Sequence, residues 1–371
     1  MITPSFALTA TERVLPKLAL DFTTASLDPR VTFTRTTGAS NPATYFNSSG
    51  VLTAATNNQP RFDYNPVSLV CKGLLIEESR TNKIIYSQDT SQSNWTKISV
   101  TVNTTAGTAP DGTNTANLIT ANATGVPTQV YQDIIINATS CTWSIFVKRY
   151  SSYDTTSVFR VRNNTTATNL VNGFITWSTM TVTLGTMEAV GNDWYRITFP
   201  VTTGITSGNS IRFYLGWQGN NGTAGNGLYA WGMQVEEGAF ATSYIPTTTT
   251  ALTRNADVAT MTGTNFSDWF NASEGTYACE YQVAQYNAAL AQMVLSSGSA
   301  AAVETYMACN TSNVNQFTVA NTTNQANFGS LGAVTLNTPA KICGFYKANY
   351  FSAAGNGTTD RKSTRLNSSH G

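Results

Sequence analysis

Side chains able to act as acids, bases or nucleophiles are few in this sequence and follow no common catalytic pattern. The single histidine is His370, at the end of the chain. The sequence therefore does not favour a Ser-His-Asp, Cys-His or Cys/His zinc site. Glycosidases need two carboxyl groups roughly 5–9.5 Å apart on either side of one bond. The acidic pairs Glu77-Glu78 and Glu236-Glu237 are adjacent, and neighbours in a strand point to opposite faces. We expect no enzyme activity.

Polar and aromatic side chains suited to binding a sugar alternate with apolar ones. Ile211, Phe213 and Leu215 share one strand face, which leaves Arg212 and Tyr214 on the other. Small residues nearby, Ala230 and Gly232, would let a ligand approach the backbone. The predicted glycan-binding residues are Arg212, Tyr214, Gln234, Arg160, Trp217 and Asn220. The alternatives are an ordinary solvated face, a surface buried against a trimer partner, or a site at the glycine-rich loop 219–227, which also reads as a flexible hairpin.

The composition indicates an all-β protein. Charged residues make up 11% of the 371 residues, less than half the usual share, while aromatic residues also reach 11%. Threonine and tyrosine favour strands, and asparagine and glycine favour turns. We predict antiparallel β-sandwich (jelly-roll) modules in tandem. The strands expected in the central module are Gln129–Ile136, Thr142–Lys148, Ser157–Arg162, Thr179–Ala189, Trp194–Val201, Ser210–Trp217 and Leu228–Glu236.

Two segments resemble bacteriophage fibre proteins. Residues 60–82 contain PRFDY, KGLLIE and RTN, which resemble the N-terminal block of phage tail-fibre and head-spike-fibre proteins. Residues 91–247, with Trp95, the Pro110–Thr113 turn and the closing LYAWGMQVEEG, resemble jelly-roll carbohydrate-binding modules of the galactose-binding-like group. The segment that opens at TRNADVAT resembles laminin-G/concanavalin-like sandwiches. The expected domains are therefore an irregular block at 1–90, a jelly roll at 91–247 and a truncated sandwich at 251–359.

The resemblance implies a phage virion fibre or spike component that binds a host cell-surface glycan without cleaving it. It also implies a homotrimer, contact with other virion proteins, and a structural calcium ion near Asp111 and Glu236. The alternative for these two residues is a turn aspartate and a solvated strand end. Two alternative functions stay open: a glycan depolymerase whose catalytic part lies elsewhere in a longer protein, and a purely structural virion spacer.

The segment 360–371 differs in character from the rest. Asp360–His370 reads DRKSTRLNSSH, which resembles a translated sequencing adapter, so we expect a non-native tail without regular structure. Without its three basic residues and one acidic residue, the formal net charge changes from +1 to −1. That charge does not suggest nucleic-acid binding. No apolar run approaches the ~20 residues of a membrane span, and no secretory signal is visible, so we expect synthesis in the host cytoplasm and a place in the virion.

Overall fold

The fold is all-β and antiparallel, as the sequence predicts. The computed structural model describes residues 16–35, 43–217, 222–283, 290–296, 303–310, 312–321, 323–358 and 361–364. Contacts divide the chain into two compact units, one ending at Met261 and the other beginning at Thr262. Within the described residues, no helix is long and apolar enough to cross a membrane.

The first unit is a β-sandwich with short strands before and after it. After a 3-10 turn at Phe22–Thr24, the preceding strands are β1 (Thr32–Thr34), β2 (Ala43–Phe46), β3 (Leu52–Ala55), β4 (Phe62–Tyr64), β5 (Cys71–Leu74) and β6 (Arg80–Asn82). The sandwich contains β7 (Thr96–Ile98), β8 (Val100–Asn103), β9 (Asn117–Ala121), β10 (Thr128–Ile136), β11 (Cys141–Arg149), β12 (Thr156–Asn163), β13 (Thr168–Thr176), β14 (Thr181–Val182), β15 (Thr186–Ala189), β16 (Trp194–Val201), β17 (Asn209–Trp217) and β18 (Gly227–Glu237). The strands β19 (Leu252–Arg254) and β20 (Val258–Thr260) follow.

Two six-stranded sheets form the sandwich. The front sheet has the order β14-β13-β12-β17-β10-β7, and the back sheet has the order β15-β16-β11-β18-β9-β8. Alternate residues of both sheets fill one core, in which Trp143 lies against Phe159, Phe199 and Phe213. The predicted strand Trp194–Val201 is confirmed to the residue, whereas the predicted strand Thr179–Ala189 is two short strands, β14 and β15.

A bulge at Gly232 changes the alternation along β18. Ser144 of β11 pairs with Gln234, but Phe146 pairs with Trp231, so β18 holds one extra residue. Gly232 has a φ of +61°, and a Cβ atom there would lie 2.9 Å from the Phe146 ring. Strict alternation along Tyr229, Trp231, Met233 and Val235 predicts that these four residues share the core face. That prediction is wrong for Trp231, because the bulge turns Trp231 and Met233 to opposite faces. Met233 faces the sandwich core, while Trp231 packs on the other side of the back sheet.

The outer side of the back sheet is covered by residues from before and after the sandwich. Trp231 packs there against Phe146 and Tyr244, with ring centroids 5.6 and 4.9 Å away. Leu52 of β3 joins the same apolar cluster. Asn82 of β6 donates hydrogen bonds to the carbonyls of Met233 and Ile245. We call residues 43–90 together with 239–260 the docking block.

A buried ion cluster joins the docking block to Arg35, which precedes it. It comprises Arg35, Arg61, Arg254, Glu77 and Asp257, and the arginine side chains are at most 1% exposed. Glu77 Oε2 lies 2.7 Å from Arg61 Nη1 and 2.9 Å from Arg254 Nη1. Asp257 pairs with both Arg35 and Arg61. Each charge is therefore paired, as charges removed from water must be.

Ser243 donates two further hydrogen bonds to Glu77. The backbone N–H and hydroxyl of Ser243 each donate to its carboxylate at 2.7 Å. Burial alone would raise the pKa of Glu77, but the charges of Arg254 and Arg61, with the Ser243 hydrogen bonds, lower it to about 2. The carboxylate therefore stays ionised in the folded state.

The second unit is a smaller sandwich. It contains a short helix α1 (Thr264–Ser267) and the strands β21 (Glu274–Tyr281), β22 (Leu290–Ser296), β23 (Val303–Cys309), β24 (Asn315–Asn321), β25 (Thr323–Phe328), β26 (Ala340–Lys347), β27 (Tyr350–Gly355) and β28 (Arg361–Thr364). The sheets are β21-β26-β27-β28 and β22-β23-β24-β25. Their shared core includes Phe317 from one sheet and Tyr346 and Phe351 from the other.

The expectation that segment 360–371 has no regular structure is wrong for four residues. Arg361–Thr364 pairs with Tyr350–Ala353 as the edge strand β28. The side chains of Arg361 and Lys362 are exposed. A strand edge offers free N–H and C=O groups to any extended segment, whatever its side chains. The predicted behaviour of Leu366 lies outside the described residues.

We expect Trp231→Ala to lower the free energy of unfolding by about 3–5 kcal/mol, because it leaves a cavity among Phe146, Tyr244 and Leu52. Urea unfolding followed by tryptophan fluorescence measures this, since six of the seven tryptophans precede Met261. The exposed Leu184→Ala is the control. A loss below about 1 kcal/mol would contradict the packing described for Trp231.

The ion cluster predicts an acid-sensitive first unit. The pKa of Glu77 is about 2 in the folded state against an ordinary value of 4.5. The unfolded chain therefore binds the proton more readily, and stability present above pH 4.5 is lost as the pH falls towards 2. We expect Glu77→Gln to cost about 3 kcal/mol at pH 7 and to flatten this acid slope. Glu280→Gln, at an exposed ion pair with Lys341, is the control. An unchanged slope in Glu77→Gln would refute the assignment.

Candidate functional site

Polar and aromatic side chains cover the outer face of the front sheet. In β10, Val130, Ile134 and Ile136 are buried, so Tyr131 and Asp133 point outward. In β17 the core residues Ile211, Phe213 and Leu215 likewise turn Arg212 and Tyr214 outward. Three predicted residues, Arg160, Arg212 and Tyr214, therefore share this face.

Strand register places five of these side chains in one transverse row. Thr96 lies opposite Tyr131, Tyr131 opposite Tyr214, Tyr214 opposite Arg160, and Arg160 opposite Asn172. A second row runs from Asp133 through Arg212 to Arg162. Since neighbouring strands lie about 4.8 Å apart, the first row extends for roughly 20 Å. We call both rows together the front face.

Tyr214 lies at the centre of the front face. Its ring centroid is 5.2 Å from that of Tyr131, and the guanidinium carbons of Arg212 and Arg160 lie 5.6 and 5.8 Å from it. These neighbours leave Tyr214 only 8% exposed. The expectation of a freely exposed Tyr214 ring is therefore wrong, and the more accessible ring is that of Tyr131.

Arg212 is fixed by three interactions. Its Nε and Nη2 donate hydrogen bonds to Asp133 at 2.5 and 2.7 Å, and its guanidinium lies 4.0 Å from the Tyr131 ring centroid. The hydrogen bonds to Asp133 raise the pKa of Arg212. A bidentate pair stacked on an aromatic ring holds the side chain in one geometry.

Arg160 and Arg162 are held by neutral partners. Arg160 Nε donates to Asn172 Oδ1, and Arg162 Nη1 donates to Asn169 Oδ1, each at 3.2 Å. Both arginines are partly exposed. Each guanidinium has further N–H groups that a ligand on the front face could accept hydrogen bonds from.

Gln234 is not part of the front face. It lies on β18 in the back sheet, is fully buried, and donates a hydrogen bond to Glu236 at 2.8 Å. The expectation that Gln234 lies beside Tyr214 is wrong, because the chain crosses to the other sheet between β17 and β18. For the same reason Ala230 and Gly232 are no floor for a ligand at Tyr214.

Of the two other predicted binding residues, Trp217 and Asn220, the structure describes only Trp217. Trp217 is the last residue of β17 and pairs with Thr128. Asn220 lies outside the described residues, as do positions 219 and 221 of the glycine-rich loop. From Gly222 onward the loop is described, and Thr223 and Asn226 donate hydrogen bonds to Asp154.

The two residues expected near calcium accept hydrogen bonds from their own neighbourhoods. Asp111 accepts from the backbone N–H and hydroxyl of Thr113, as a turn aspartate does. Glu236 is fully buried and accepts from Thr242 and Gln234, and burial raises its pKa. In the part of the chain that is described, no group of three or more His, Cys, Asp and Glu side chains could hold a metal ion. The calcium ion stays a prediction from the resemblance.

The second unit has a surface depression of its own. It is open to solvent, has a volume of about 430 Å³ and is lined by Ala278–Glu280, Lys341–Cys343 and Ala354–Thr358. Its charged residues, Glu280 and Lys341, form an ion pair at 3.1 Å. It lacks an aromatic ring in its lining, so it fits a sugar less well than the front face does.

Sequence analysis does not identify four polar residues of this region. They are Tyr131 and Asp133 of β10, which point outward, and the asparagines Asn169 and Asn172 of β13. The signal for the first pair was present, since Tyr131 and Asp133 alternate with Val130 and Ile134 as Arg212 and Tyr214 alternate with Ile211 and Phe213. Strand β13 lacks such a pattern before Val171 and was not predicted.

Comparison with known proteins gives structural neighbours only. No protein-family description matches the chain, and no curated protein matches it. Among solved structures, the enzymatically active domain of bacteriophage CBA120 tailspike protein 4 shares 14% identity at a TM-score of 0.28, over 42% of this chain. The chain thus spans 21% of that tailspike structure.

Two xylan-related structures also match. The CBM22-1 xylan-binding domain of Paenibacillus barcinonensis Xyn10C shares 14% identity at a TM-score of 0.27, over 45% of this chain and 97% of that one. The CBM22-1 and GH10 modules of Clostridium thermocellum endo-1,4-β-D-xylanase 10B, complexed with xylohexaose, share 12% identity at a TM-score of 0.29, over 45% of this chain and 30% of that one.

The two tyrosines of the front face predict different stability costs. We expect Tyr214→Ala to lower the free energy of unfolding by about 2–4 kcal/mol, because its ring is buried among Tyr131, Arg160 and Arg212. Tyr131→Ala removes a more exposed ring and should cost about 1 kcal/mol or less. Urea unfolding of both variants checks the order. A larger loss for Tyr131→Ala would contradict the burial described here.

Proposed function

We propose that the chain is a non-catalytic adhesin whose front face binds a glycan of a bacterial cell surface. The observation that carries the proposal is the transverse row, in which Tyr131, Tyr214 and Arg160 lie side by side on adjacent strands. An aromatic ring offers an apolar face to the C–H groups of a pyranose ring. Guanidinium and amide groups donate and accept hydrogen bonds as sugar hydroxyls require.

The position of the docking block supports the front face over the back sheet. The outer residues of β11 and β18, such as Phe146 and Trp231, are buried beneath the docking block. On the front face, Tyr131, Arg160 and Arg212 keep part of their surface. A flat polymer chain therefore has one broad sheet surface of the described first unit on which to lie.

The arrangement of Arg212 also favours binding. Its pair with Asp133 and its stacking on Tyr131 are contacts within the protein that hold the side chain in place. A ligand that meets side chains already in place loses less conformational entropy on binding than one that must order them. This argument concerns binding and requires no cleaved bond.

We place this adhesin in a fibre or spike of a phage or prophage virion. The basis is the resemblance of PRFDY, KGLLIE and RTN in residues 60–82 to phage fibre proteins. A trimer with several copies per virion would combine weak sites through their high effective concentration. A single site of this type has an expected dissociation constant in the millimolar range, or about −4 kcal/mol.

Affinity electrophoresis of the full chain against bacterial surface polysaccharides, preceded by a glycan array, tests the proposal. We expect Tyr131→Ala to weaken binding at least about tenfold while the melting temperature changes little. Tyr350→Ala, which removes a partly exposed ring from the second unit, is the matched control and should bind as the unchanged chain does.

Three results would contradict the proposal. Equal binding by Tyr131→Ala and the unchanged chain would place the site elsewhere, with the loop around Gly222–Gly227 as the next candidate. Loss of an oligomer in Tyr131→Ala, seen by light scattering, would make the front face a subunit interface and the chain a spacer. Release of oligosaccharides from a bound polymer would indicate a depolymerase.

A further inference from the structure

We infer that the glycan bound at the front face is anionic, and that Arg160 and Arg162 contact its carboxylate or phosphate groups. This inference rests on the proposed function and specifies its ligand. The front face holds three arginines, Arg160, Arg162 and Arg212, and one carboxylate, Asp133. Its positive charge thus exceeds its negative charge by two.

The single carboxylate is committed to one arginine. Both oxygens of Asp133 accept hydrogen bonds from Arg212, which is the geometry of a bidentate ion pair. Asp133 also accepts a hydrogen bond from the Asn164 amide at 3.1 Å. Arg212 is therefore neutralised in place and acts mainly as a flat surface over Tyr131.

Arg160 and Arg162 keep their charges. Among the residues that the structure describes, no carboxylate lies within ion-pair distance of either guanidinium, and the partners of both are the neutral amides Asn172 and Asn169. An amide oxygen orients a guanidinium but does not cancel its charge. The remaining N–H groups of each side chain form the planar fork that suits a carboxylate or phosphate.

The spacing of the two arginines fits a polymer that carries repeated acidic groups. Residues two apart on one strand point to the same side about 7 Å from each other. Arg160 lies in the row of Tyr131 and Tyr214, while Arg162 lies beside Arg212 in the next row. A sugar ring over the tyrosines would bring its acidic substituent to Arg160 and that of a neighbouring sugar to Arg162.

Repulsion between the arginines also favours an anionic ligand. Arg160 and Arg162 carry like charges on outward positions of one strand, and among the described residues no carboxylate forms an ion pair with either. A ligand with negative charge would offset the repulsion. A neutral glycan would need only the tyrosines and the amides.

The test compares matched polymers on the full chain. The probes are several uronate-containing bacterial polysaccharides, the same polymers after carboxyl reduction to neutral sugars, and phosphate-bearing polysaccharides. We expect the acidic form to bind at least about tenfold more tightly than its reduced form at low salt, with the difference shrinking as salt rises. Comparing the affinities of the uronate-containing and the phosphate-bearing polysaccharides identifies which anion the arginines prefer.

The variants separate charge from stacking. Arg160→Gln with Arg162→Gln should abolish the preference for the acidic form and leave residual binding of the reduced form. Asp133→Asn should strengthen binding of the acidic form, because it frees the charge of Arg212. Arg149→Gln, which removes an exposed guanidinium stacked on Tyr153, is the matched control and should change neither affinity.

The outcomes distinguish this inference from the proposed function. If the reduced polymers bind as tightly as the acidic ones, or if the double variant keeps its preference, the inference is wrong and a neutral-glycan site stands. If no polymer of either series binds, the proposed function fails together with it. Equal loss of acidic binding in Arg149→Gln would indicate unspecific attraction between charges, which also overturns the inference.

Discussion

The first unit depends on the pairing of Glu77 and Asp257 with three buried arginines. Removing these charges from water is costly, and the cost is offset only while every partner is in place. The partners come from distant positions: Arg35 and Arg61 precede the sandwich, whereas Arg254 follows it. The cluster therefore joins the two segments of the docking block to each other. Directional ion pairs and hydrogen bonds between distant positions specify one arrangement more strictly than apolar contacts would.

This constraint gives a physical reason for the residues that resemble phage fibre proteins. Arg61 of PRFDY and Glu77 of KGLLIE belong to the ion cluster, and Asn82 of RTN bonds to β18 and to Ile245. The motifs thus describe how the docking block attaches, and none of these three side chains is on the front face. Covering one sheet leaves the other sheet available, so the attachment and the proposed binding surface are consequences of the same packing.

Sequence analysis was correct for features that depend only on neighbouring residues along one strand. Alternation assigned Arg212 and Tyr214 to an outward face, and the strand Trp194–Val201 was correct to the residue. Sequence analysis failed for features that depend on how strands distant in the sequence pair with each other. Gln234 was placed beside Tyr214 because β17 and β18 are consecutive, although they belong to different sheets. The bulge at Gly232 then put Trp231 and Met233 on opposite faces, since one extra residue changes the phase of the alternation.

The same reasoning explains why burial changes the role of Tyr214. Sequence alternation distinguishes inward from outward, but side chains on neighbouring strands decide how much of an outward ring meets water. Tyr131 of β10 and Arg160 of β12, together with Arg212 of the same strand, leave Tyr214 mostly covered. Its ring then supports the neighbouring groups, which a ligand would meet first. A weak sugar site gains from such support, because side chains that are held in place lose little further freedom when a polymer binds.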